Sequence, residues 1–277
     1  MSDVNSNFLQ IVHDPPQSEI DIVAVHGLHP FGSGSNSFST WTARQGEERR
    51  NWLSHAEFLP KELPTARIMI FSYNSNAVFQ ASRAVITDHS RNLLERLRQK
   101  RSNNAPNRPL MFICHSLGGL LVKEALFQAY YSNETHREVI YNCTKGIVFF
   151  GTPQKGGENV VIGNLVANVV RACTGGLDNK YMEVLKGDTL FSDVTRDFFE
   201  SRGHDMNYIS FIETRKTKGT MVVLRENSVL GLPNEQQIPL DTDHAHMCKI
   251  WDPQGGIWFQ VKEPICRMAK DAISLTP

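Results

Sequence analysis

The feature that most constrains the fold of this chain is a series of short apolar runs that turn residues bound and helical patterns separate. Several runs are apolar at every position, as strands are when helices cover both faces of a parallel sheet. This alternation is typical of an α/β protein with a mostly parallel central sheet flanked by helices. The predicted strands are residues 22–25, 67–73, 110–114, 146–150, 208–213 and 220–224.

One connection in this pattern is unusually long. Residues 156–207 separate two predicted strands and carry two helical patterns, one around Val161 to Val170 and one from Leu190 to Phe198. We therefore expect a helical insertion or cap inside a single domain that spans residues 1–277. Periodicity does not distinguish helices that pack on the domain from a lid over a substrate.

Composition excludes several classes of function. The 29 basic and 29 acidic residues cancel, and no basic stretch is interleaved with aromatic residues, so we expect no nucleic-acid partner. The polar N-terminus has no apolar core of a secretory signal, and no apolar run approaches the roughly 20 residues of a membrane span. We expect a cytoplasmic or otherwise intracellular protein with no transmembrane segment, and leave peripheral membrane contact and oligomeric state open. Five scattered Cys residues suggest neither a zinc site nor a disulfide framework.

A candidate nucleophile follows the third predicted strand. The chain passes from residues 110–114 through Ser116 into a helical pattern that begins near Leu120. A serine between a buried strand and a helix is the context of the nucleophile elbow in the α/β-hydrolase fold. The position two residues before the serine, usually Gly, is Cys114, whereas the position two residues after it is Gly118. The pattern predicts Ser116 as a catalytic nucleophile, with a purely structural turn as the alternative.

An acyl-transfer site also needs two N–H groups that bind the negative oxygen of the tetrahedral intermediate. The first predicted strand ends in His26-Gly27-Leu28, where a tight turn brings the backbone close to a ligand. We expect the amides of Leu28 and Leu117 to form this oxyanion hole. The residues expected to contact substrate are His26, Gly27, His115 and Tyr73.

The base and the acid are sought in the chain order Ser, acid, His. The segment Asp241-Thr242-Asp243-His244-Ala245-His246 follows the last predicted strands, so His244 and His246 are the candidate bases. Glu213 ends a predicted strand where a triad carboxylate normally lies, and it would hold the imidazole in the required tautomer. The alternative acids are Asp241, Asp243 and Glu226.

These motifs together resemble the serine-active-site-containing protein family and the lipase-like (SesB-type) domains of fungal NACHT, ankyrin and tetratricopeptide-repeat proteins. The resemblance covers about residues 22–249. It rests on Val25-His26-Gly27-Leu28, Trp41-Thr42, Asn51-Trp52-Leu53, Leu59-Pro60, Ala66-Arg67-Ile68, Tyr73-Asn74-Ser75, His115-Ser116-Leu117-Gly118-Gly119-Leu120, Phe149-Phe150-Gly151-Thr152-Pro153, Asp243-His244 and Met247-Cys248-Lys249. The sequence departs from the family pattern at Cys114, which replaces Gly, and at Gln154-Lys155, where His-Arg is commoner.

The resemblance implies Ser116 as nucleophile, His244 rather than His246 as base, and Glu213 as acid. It also implies an α/β-hydrolase associated with lipid metabolism, in which related domains act in lipid ester hydrolysis, phospholipid remodelling or signalling. The predicted function is a serine esterase or lipase-like hydrolase of a hydrophobic acyl substrate, with no metal or organic cofactor. The alternatives are a catalytically silent binding or signalling module, and a hydrolase or acyltransferase for a small metabolite, thioester or lactone. Whether the chain is free-standing or part of a larger protein stays open.

Overall fold

The computed structural model describes residues 8–28, 37–75, 83–101, 107–154 and 190–275. The strands in these ranges are β1 (Phe8–His13), β2 (Ile20–Val25), β3 (Thr42–Gln45), β4 (Glu48–Asn51), β5 (Ala66–Ser72), β6 (Leu110–His115), β7 (Thr144–Phe150), β8 (Asn207–Glu213) and β9 (Glu235–Leu240). The helices are α1 (Ser37–Thr40), α2 (Leu59–Glu62), α3 (Arg83–Arg101), α4 (Leu117–Tyr130), α5 (Thr135–Cys143), α6 (Leu190–Arg202) and α7 (Gly256–Ser274).

Seven strands form one sheet in the order β1-β5-β2-β6-β7-β8-β9. Strand β1 is antiparallel to β5, and every other neighbouring pair is parallel. The predicted, mostly parallel sheet is therefore confirmed. Because parallel strands end at the same edge, the segments that follow β2, β6, β7, β8 and β9 begin close together, where α/β folds bind ligands.

Apolar side chains on the two faces of the sheet pack into two separate clusters. One cluster lies between the sheet and α7 and contains Trp41, Trp52, Phe58 and Trp258, all fully buried. The other lies beneath α3, α4 and α5. Strands β2, β5 and β6 are almost completely buried, since helices cover both faces, and this burial explains their continuous apolar sequence.

Five of the six predicted strands are confirmed, and the sixth, residues 220–224, is wrong. That segment is irregular, although Val222 and Val223 are buried, and the last strand of the sheet is β9. The sequence of β9, Glu-Gln-Gln-Ile-Pro-Leu, is polar because it lies at the edge of the sheet with several side chains exposed. Strand β1, at the opposite edge, was likewise not predicted.

The predicted helical insertion is described only at its end. Residues 155–189 lie outside the described residues, whereas α6 and the short 3₁₀ turn Gly203–Asp205 lead into β8. Phe198 and Phe199 of α6 are buried against the α3, α4 and α5 face. The insertion and the single-domain assignment stay predictions. In the described part of the chain, no helix has the length and hydropathy that a membrane span requires.

Candidate active site

Ser116 lies on a sharp turn between β6 and α4. Its backbone has φ 51° and ψ −125°, a combination that residues with a side chain rarely adopt. The Ser116 N–H donates a hydrogen bond of 2.9 Å to Phe150 O. Gly118 lies against the end of β2, where a Cβ would overlap the carbonyl oxygens of Val25 and His26. This strained strand–turn–helix geometry is the one expected for a nucleophile elbow.

Cys114 fills the position before the turn at which Gly is usual. The two glycines after the serine take the close contacts of this turn, Gly118 with the end of β2 and Gly119 with Thr152. Cys114 is fully buried in the cluster that also contains Tyr73 and Phe149. Burial raises the pKa of the Cys114 thiol well above its ordinary value, so the thiol stays protonated. The fold thus accommodates this departure from the family pattern without disturbing the turn.

His244 lies beside the serine, in the loop that follows β9. Its Nε2 is 3.0 Å from Ser116 Oγ, within hydrogen-bond distance for a general base. The loop is anchored by Trp52, whose Nε1–H donates to Cys248 O at 2.9 Å. His246, the other candidate base, is exposed, and its Nδ1 lies 2.8 Å from Asp243 Oδ1. The geometry brings His244 to the serine and directs His246 away from it.

Glu213, the last residue of β8, is the carboxylate that faces His244. One oxygen accepts the Val223 N–H at 2.5 Å, and the backbone amides of Val222 and His244 also donate to the carboxylate. The other oxygen, Oε2, lies 3.7 Å from His244 Nδ1. Neither of these two atoms has a hydrogen-bond partner in the described part of the chain. In space, the His244 imidazole therefore lies between the Ser116 hydroxyl and the Glu213 carboxylate, and its contact with the carboxylate is the longer of the two.

Burial determines the ionisation of this pair. It raises the pKa of Glu213 to about 7, although the three backbone amides act in the opposite direction. It lowers the pKa of His244 to about 4, so the imidazole is neutral near pH 7 and able to accept a proton. No cation is needed to explain either shift, because removal from water disfavours the charged form of both groups.

The other candidate acids have different partners. Asp241 forms an exposed ion pair with Arg215. Asp243 accepts hydrogen bonds from the amides of Ala245 and His246 and so shapes the loop that carries His244. Glu226 lies exposed on the 3₁₀ turn Arg225–Asn227.

Two glycines allow the backbone to approach the reacting side chains. A Cβ on Gly27 would lie 2.7 Å from Ser116 Cβ and 2.9 Å from His115 Nδ1. Gly151, at φ +55°, would place a Cβ 2.8 Å from His244 Nδ1. Any larger residue at these positions would displace Ser116 or His244. The motifs around Gly27 and Gly151 therefore have a direct steric reason.

The residues predicted to contact substrate have protein partners. His26 is buried, stacks on Tyr73 with 4.3 Å between ring centroids, and accepts the Tyr73 N–H at Nε2 over 3.3 Å. The Tyr73 hydroxyl donates to His26 O at 2.9 Å. The Nε2–H of His115 donates to His244 O at 3.1 Å, in the loop that follows β9. A role for these side chains in substrate contact stays a prediction.

Thr152 is a site residue whose role sequence reasoning missed. It follows Gly151 after β7, is fully buried, and its hydroxyl donates a hydrogen bond of 3.0 Å to Ser116 O. The motif Gly151-Thr152-Pro153 was recognised, but nothing in the residue types indicated a partner 36 positions away. Gln154, a departure from the family pattern, is buried and accepts a hydrogen bond from Lys123 at 3.2 Å, while Lys155 lies outside the described residues.

Comparison with solved structures identifies the architecture as the α/β-hydrolase fold. The lipase BlEst2 of Bacillus licheniformis superposes with a TM-score of 0.57 at 16% identity, covering 94% of this chain and 98% of that one. A lipase-esterase related protein of Clostridium acetobutylicum gives 0.52 at 14% identity, covering 95% and 99%. The carboxylesterase EstE1, cloned from a metagenomic library, gives 0.51 at 13% identity, covering 97% and 89%.

Among curated proteins, the chain is similar to Protein SERAC1. It is 27% identical to the mouse protein over 274 residues, covering 91% of this chain and 39% of the relative. It is 28% identical to the human protein over 251 residues, covering 83% and 36%. The chain therefore spans less than two fifths of the length of these relatives. No family model matches the chain, and the context of fungal NACHT, ankyrin or tetratricopeptide-repeat proteins stays a prediction.

The described residues contain no group of three or more His, Cys, Asp or Glu side chains arranged to hold a metal ion.

Proposed function

We propose that this chain is a serine hydrolase that cleaves a carboxylic ester through an acyl-enzyme. The observation that carries the proposal is the 3.0 Å contact between Ser116 Oγ and His244 Nε2 on a turn with a positive φ. A serine is a weak nucleophile until an adjacent base accepts its proton, and this contact supplies such a base. The likeness to lipases and esterases extends to the fold, in which such sites occur.

The reaction would proceed in two halves. As Ser116 Oγ attacks the acyl carbon, its proton moves to His244 Nε2, and the carbonyl oxygen becomes an oxyanion held by the Leu28 and Leu117 amides. Collapse breaks the ester bond, and the leaving alkoxide takes the proton from His244. Water then gives a proton to His244 and attacks the acyl carbon, and the returning proton restores the Ser116 hydroxyl as the acid product leaves.

Glu213 would act on this cycle through His244. An ionised carboxylate near Nδ1 stabilises the imidazolium and keeps the proton of the neutral ring on Nδ1, so that Nε2 faces the serine as an acceptor. The 3.7 Å separation has to shorten to a hydrogen bond for this role. A proton that arrives on His244 provides the attraction that shortens it, because the imidazolium and the carboxylate then carry opposite charges.

A lipid or otherwise hydrophobic acyl group is our proposed substrate class. It is supported by the fold that the chain shares with lipases and by the apolar helical pattern at 161–170, which lies outside the described residues. A series of p-nitrophenyl esters from acetate to laurate tests it. Rates that rise with chain length support this substrate class, whereas a preference for acetate contradicts it and favours a small metabolite ester.

The second candidate is a hydrolase-shaped binding or signalling module. The specific observation in its favour is that Glu213 and His244 are both buried and that the imidazole Nδ1 of His244 is not hydrogen-bonded to the carboxylate of Glu213. In that case the three residues would stabilise the fold and would not catalyse a reaction.

Labelling with a fluorophosphonate probe distinguishes the two candidates. Wild type should become labelled at Ser116, and both Ser116→Ala and His244→Ala should abolish labelling. The matched control is His246→Ala, which removes an exposed imidazole two residues away and should leave labelling intact. A folded wild-type protein that resists the probe would exclude the hydrolase and favour the binding module.

A further inference from the structure

Two buried side chains hold the carbonyl oxygens of the peptide units expected to bind the oxyanion. The Thr152 hydroxyl donates to Ser116 O at 3.0 Å, and His26 Nδ1 lies 2.7 Å from Gly27 O. The amide partner of the Ser116 carbonyl is the Leu117 N–H, and that of the Gly27 carbonyl is the Leu28 N–H. Each predicted oxyanion donor therefore belongs to a peptide unit whose carbonyl oxygen contacts a buried side chain.

The direction of each hydrogen bond follows from chemistry. A backbone carbonyl only accepts, so the Thr152 hydroxyl must donate. The Tyr73 N–H occupies His26 Nε2, which must therefore carry the lone pair, and a neutral ring then has its proton on Nδ1. His26 Nδ1–H consequently donates to Gly27 O. The stacked Tyr73 ring and its hydroxyl bond to His26 O keep this imidazole in place.

The two amides lie next to a close contact between Gly27 and Ser116. Gly27 lies directly against Ser116, so the next residue in each segment supplies an N–H at the same edge of the sheet. Leu117 is the first residue of α4, where the N–H has no acceptor within the helix. Among the described residues, neither the Leu28 nor the Leu117 N–H donates to another group. Within the described ranges, both amides can therefore donate to a ligand oxygen.

We propose that Thr152 and His26 are positioning residues that orient and polarise the oxyanion-binding amides of Leu117 and Leu28. In a planar trans peptide the C=O and N–H point in opposite directions, so fixing the carbonyl fixes the amide. A hydrogen bond to the carbonyl also polarises the N–H of the same unit, and chains of hydrogen bonds strengthen one another in a low-dielectric interior. Donors that are fixed before the reaction need no reorganisation as charge develops. This inference rests on the function proposed above.

Thr152→Val tests the first positioning residue because it keeps the shape of threonine and removes only the hydroxyl. Removing an oxyanion-hole donor altogether costs about 100- to 1,000-fold in kcat, so we expect loss of its support to cost about tenfold. KM for the ester should change little, because the ground-state carbonyl makes weaker use of these amides. The inhibition constant of a trifluoromethyl ketone with the same acyl chain, which forms an oxyanion on Ser116, should rise about as much as kcat falls.

Thr144→Val is the matched control. Thr144 is also buried, lies at the other end of β7, and donates its hydroxyl to Ile140 O at 2.8 Å. Both valine variants lose one buried side-chain hydrogen bond, but only Thr152 touches the nucleophile turn. Thr144→Val should have wild-type kinetics per titrated active site, and Thr152→Ser, which retains the hydroxyl, should recover most of the kcat lost in Thr152→Val.

His26 is tested by a pair of substitutions. The side-chain amide of His26→Asn places an N–H near the position of Nδ1, whereas His26→Leu has no donor. We expect His26→Leu to lower kcat and weaken the ketone, and His26→Asn to recover part of both effects. Equal loss in the two variants would show that the ring acts through packing on Tyr73 and would overturn its assignment as an amide-positioning residue.

An NMR measurement separates failure of this inference from failure of the proposed function. In protein labelled with ¹⁵N-leucine, Thr152→Val should move the Leu117 amide nitrogen upfield and leave Leu28 in place, and His26→Leu should do the reverse. These shifts require no turnover, so they decide the positioning even if the wild type resists fluorophosphonate. Unchanged amide shifts, or wild-type kcat and ketone affinity in Thr152→Val, would overturn the proposal.

Discussion

A buried carboxylate lies at each end of the parallel strands, and the two carboxylates have opposite surroundings. At the edge where the parallel strands begin, Asp21 is fully buried and surrounded by three arginines. Arg67 binds both of its oxygens at 2.8 Å, while Arg101 and Arg108 contact one oxygen each at 2.5 and 2.9 Å. At the edge where the strands end, Glu213 has backbone amides and an imidazole at 3.7 Å.

The difference separates architecture from chemistry. A carboxylate already bound by three guanidinium groups has little left to offer a substrate, and its substitution should affect folding alone. A carboxylate without a cation is costly to ionise, but it can stabilise a positive charge that appears beside it during a reaction. Backbone strain is also found at the second edge, where Ser116 has a positive φ, whereas Gly151 beside it reaches a positive φ without steric cost.

The largest expected effect is on stability at the first edge. Asp21→Ala leaves three arginines without their shared anion, and breaking a buried ion pair from one side typically costs about 3–5 kcal/mol. Urea unfolding near neutral pH measures this loss. Arg108→Met is the milder companion variant, since it removes only one of the four contacts and keeps the aliphatic stem.

Asp241→Ala is the control for this prediction. It also removes an aspartate from an arginine, but the Arg215–Asp241 pair is exposed at both side chains, so little change is expected. Fluorophosphonate labelling per folded molecule should stay at the wild-type level in all three variants. Equal stability of Asp21→Ala and Asp241→Ala would abolish the distinction drawn between the two edges.

Glu213→Gln should stabilise the protein while impairing catalysis. The pKa of Glu213 is raised by burial to about 7, so ionisation costs the folded state more than the unfolded state. As far as Glu213 determines it, the free energy of unfolding of the wild type is therefore highest below the pKa of this group in the unfolded chain and falls as pH rises towards 7. The side-chain amide of the variant cannot ionise. The free energy of unfolding of Glu213→Gln should therefore exceed that of wild type by on the order of 2 kcal/mol at about pH 8 and by little at about pH 5.

Urea unfolding of both proteins across this pH range tests the prediction. The contribution of His244 depends on pH in the opposite direction, because its lowered pKa reduces stability as pH falls towards 4. Both proteins contain His244, so this contribution cancels when their free energies of unfolding are subtracted. Catalysis should fall because the Gln amide cannot hold Nδ1 as the donor. A variant less stable than wild type at high pH would mean that the amides of Val222 and Val223 already support an ionised Glu213.

The place of a strand across the sheet, central or lateral, explains how much of the fold could be predicted from sequence. Strands in the middle of the sheet are buried on both faces and carry continuous apolar runs, so β2, β5, β6, β7 and β8 were found. Strands β1 and β9 lie at the margins, where exposed side chains break such runs. Residues 220–224 misled the prediction because two buried valines also suit an irregular segment that wraps around Glu213.

The candidate triad could be found because chain order and strand ends restrict where its members lie. Its supports could not, because they are long-range hydrogen bonds to backbone atoms, which no residue type marks. The Val223 amide on Glu213 and the Thr152 hydroxyl on Ser116 O are both of this kind. His26 was noticed in its motif, but its partners depend on how β2 and β5 pair.

The smallest expected effect concerns strain at Ser116. Its φ of 51° with ψ of −125° is costly for any residue with a Cβ, typically about 1–3 kcal/mol, and nearly free for glycine. Both Ser116→Ala and Ser116→Gly remove the hydroxyl, but only the second removes the strain. After the extra entropy that glycine loses on folding, Ser116→Gly should be more stable than Ser116→Ala by about 1 kcal/mol.

The same pair of substitutions at Ser228 gives the opposite sign. Ser228 is buried, donates its hydroxyl to Leu224 O, and has φ −87° and ψ −3°, where alanine is unstrained. Glycine there only adds disorder to the unfolded chain, so Ser228→Gly should be less stable than Ser228→Ala by about 0.5–1 kcal/mol. Urea unfolding of the four variants measures both differences. If alanine is the better residue at both positions, the turn at Ser116 stores no strain, and the placement of its hydroxyl beside His244 must come from packing against Gly27 and Gly118 alone.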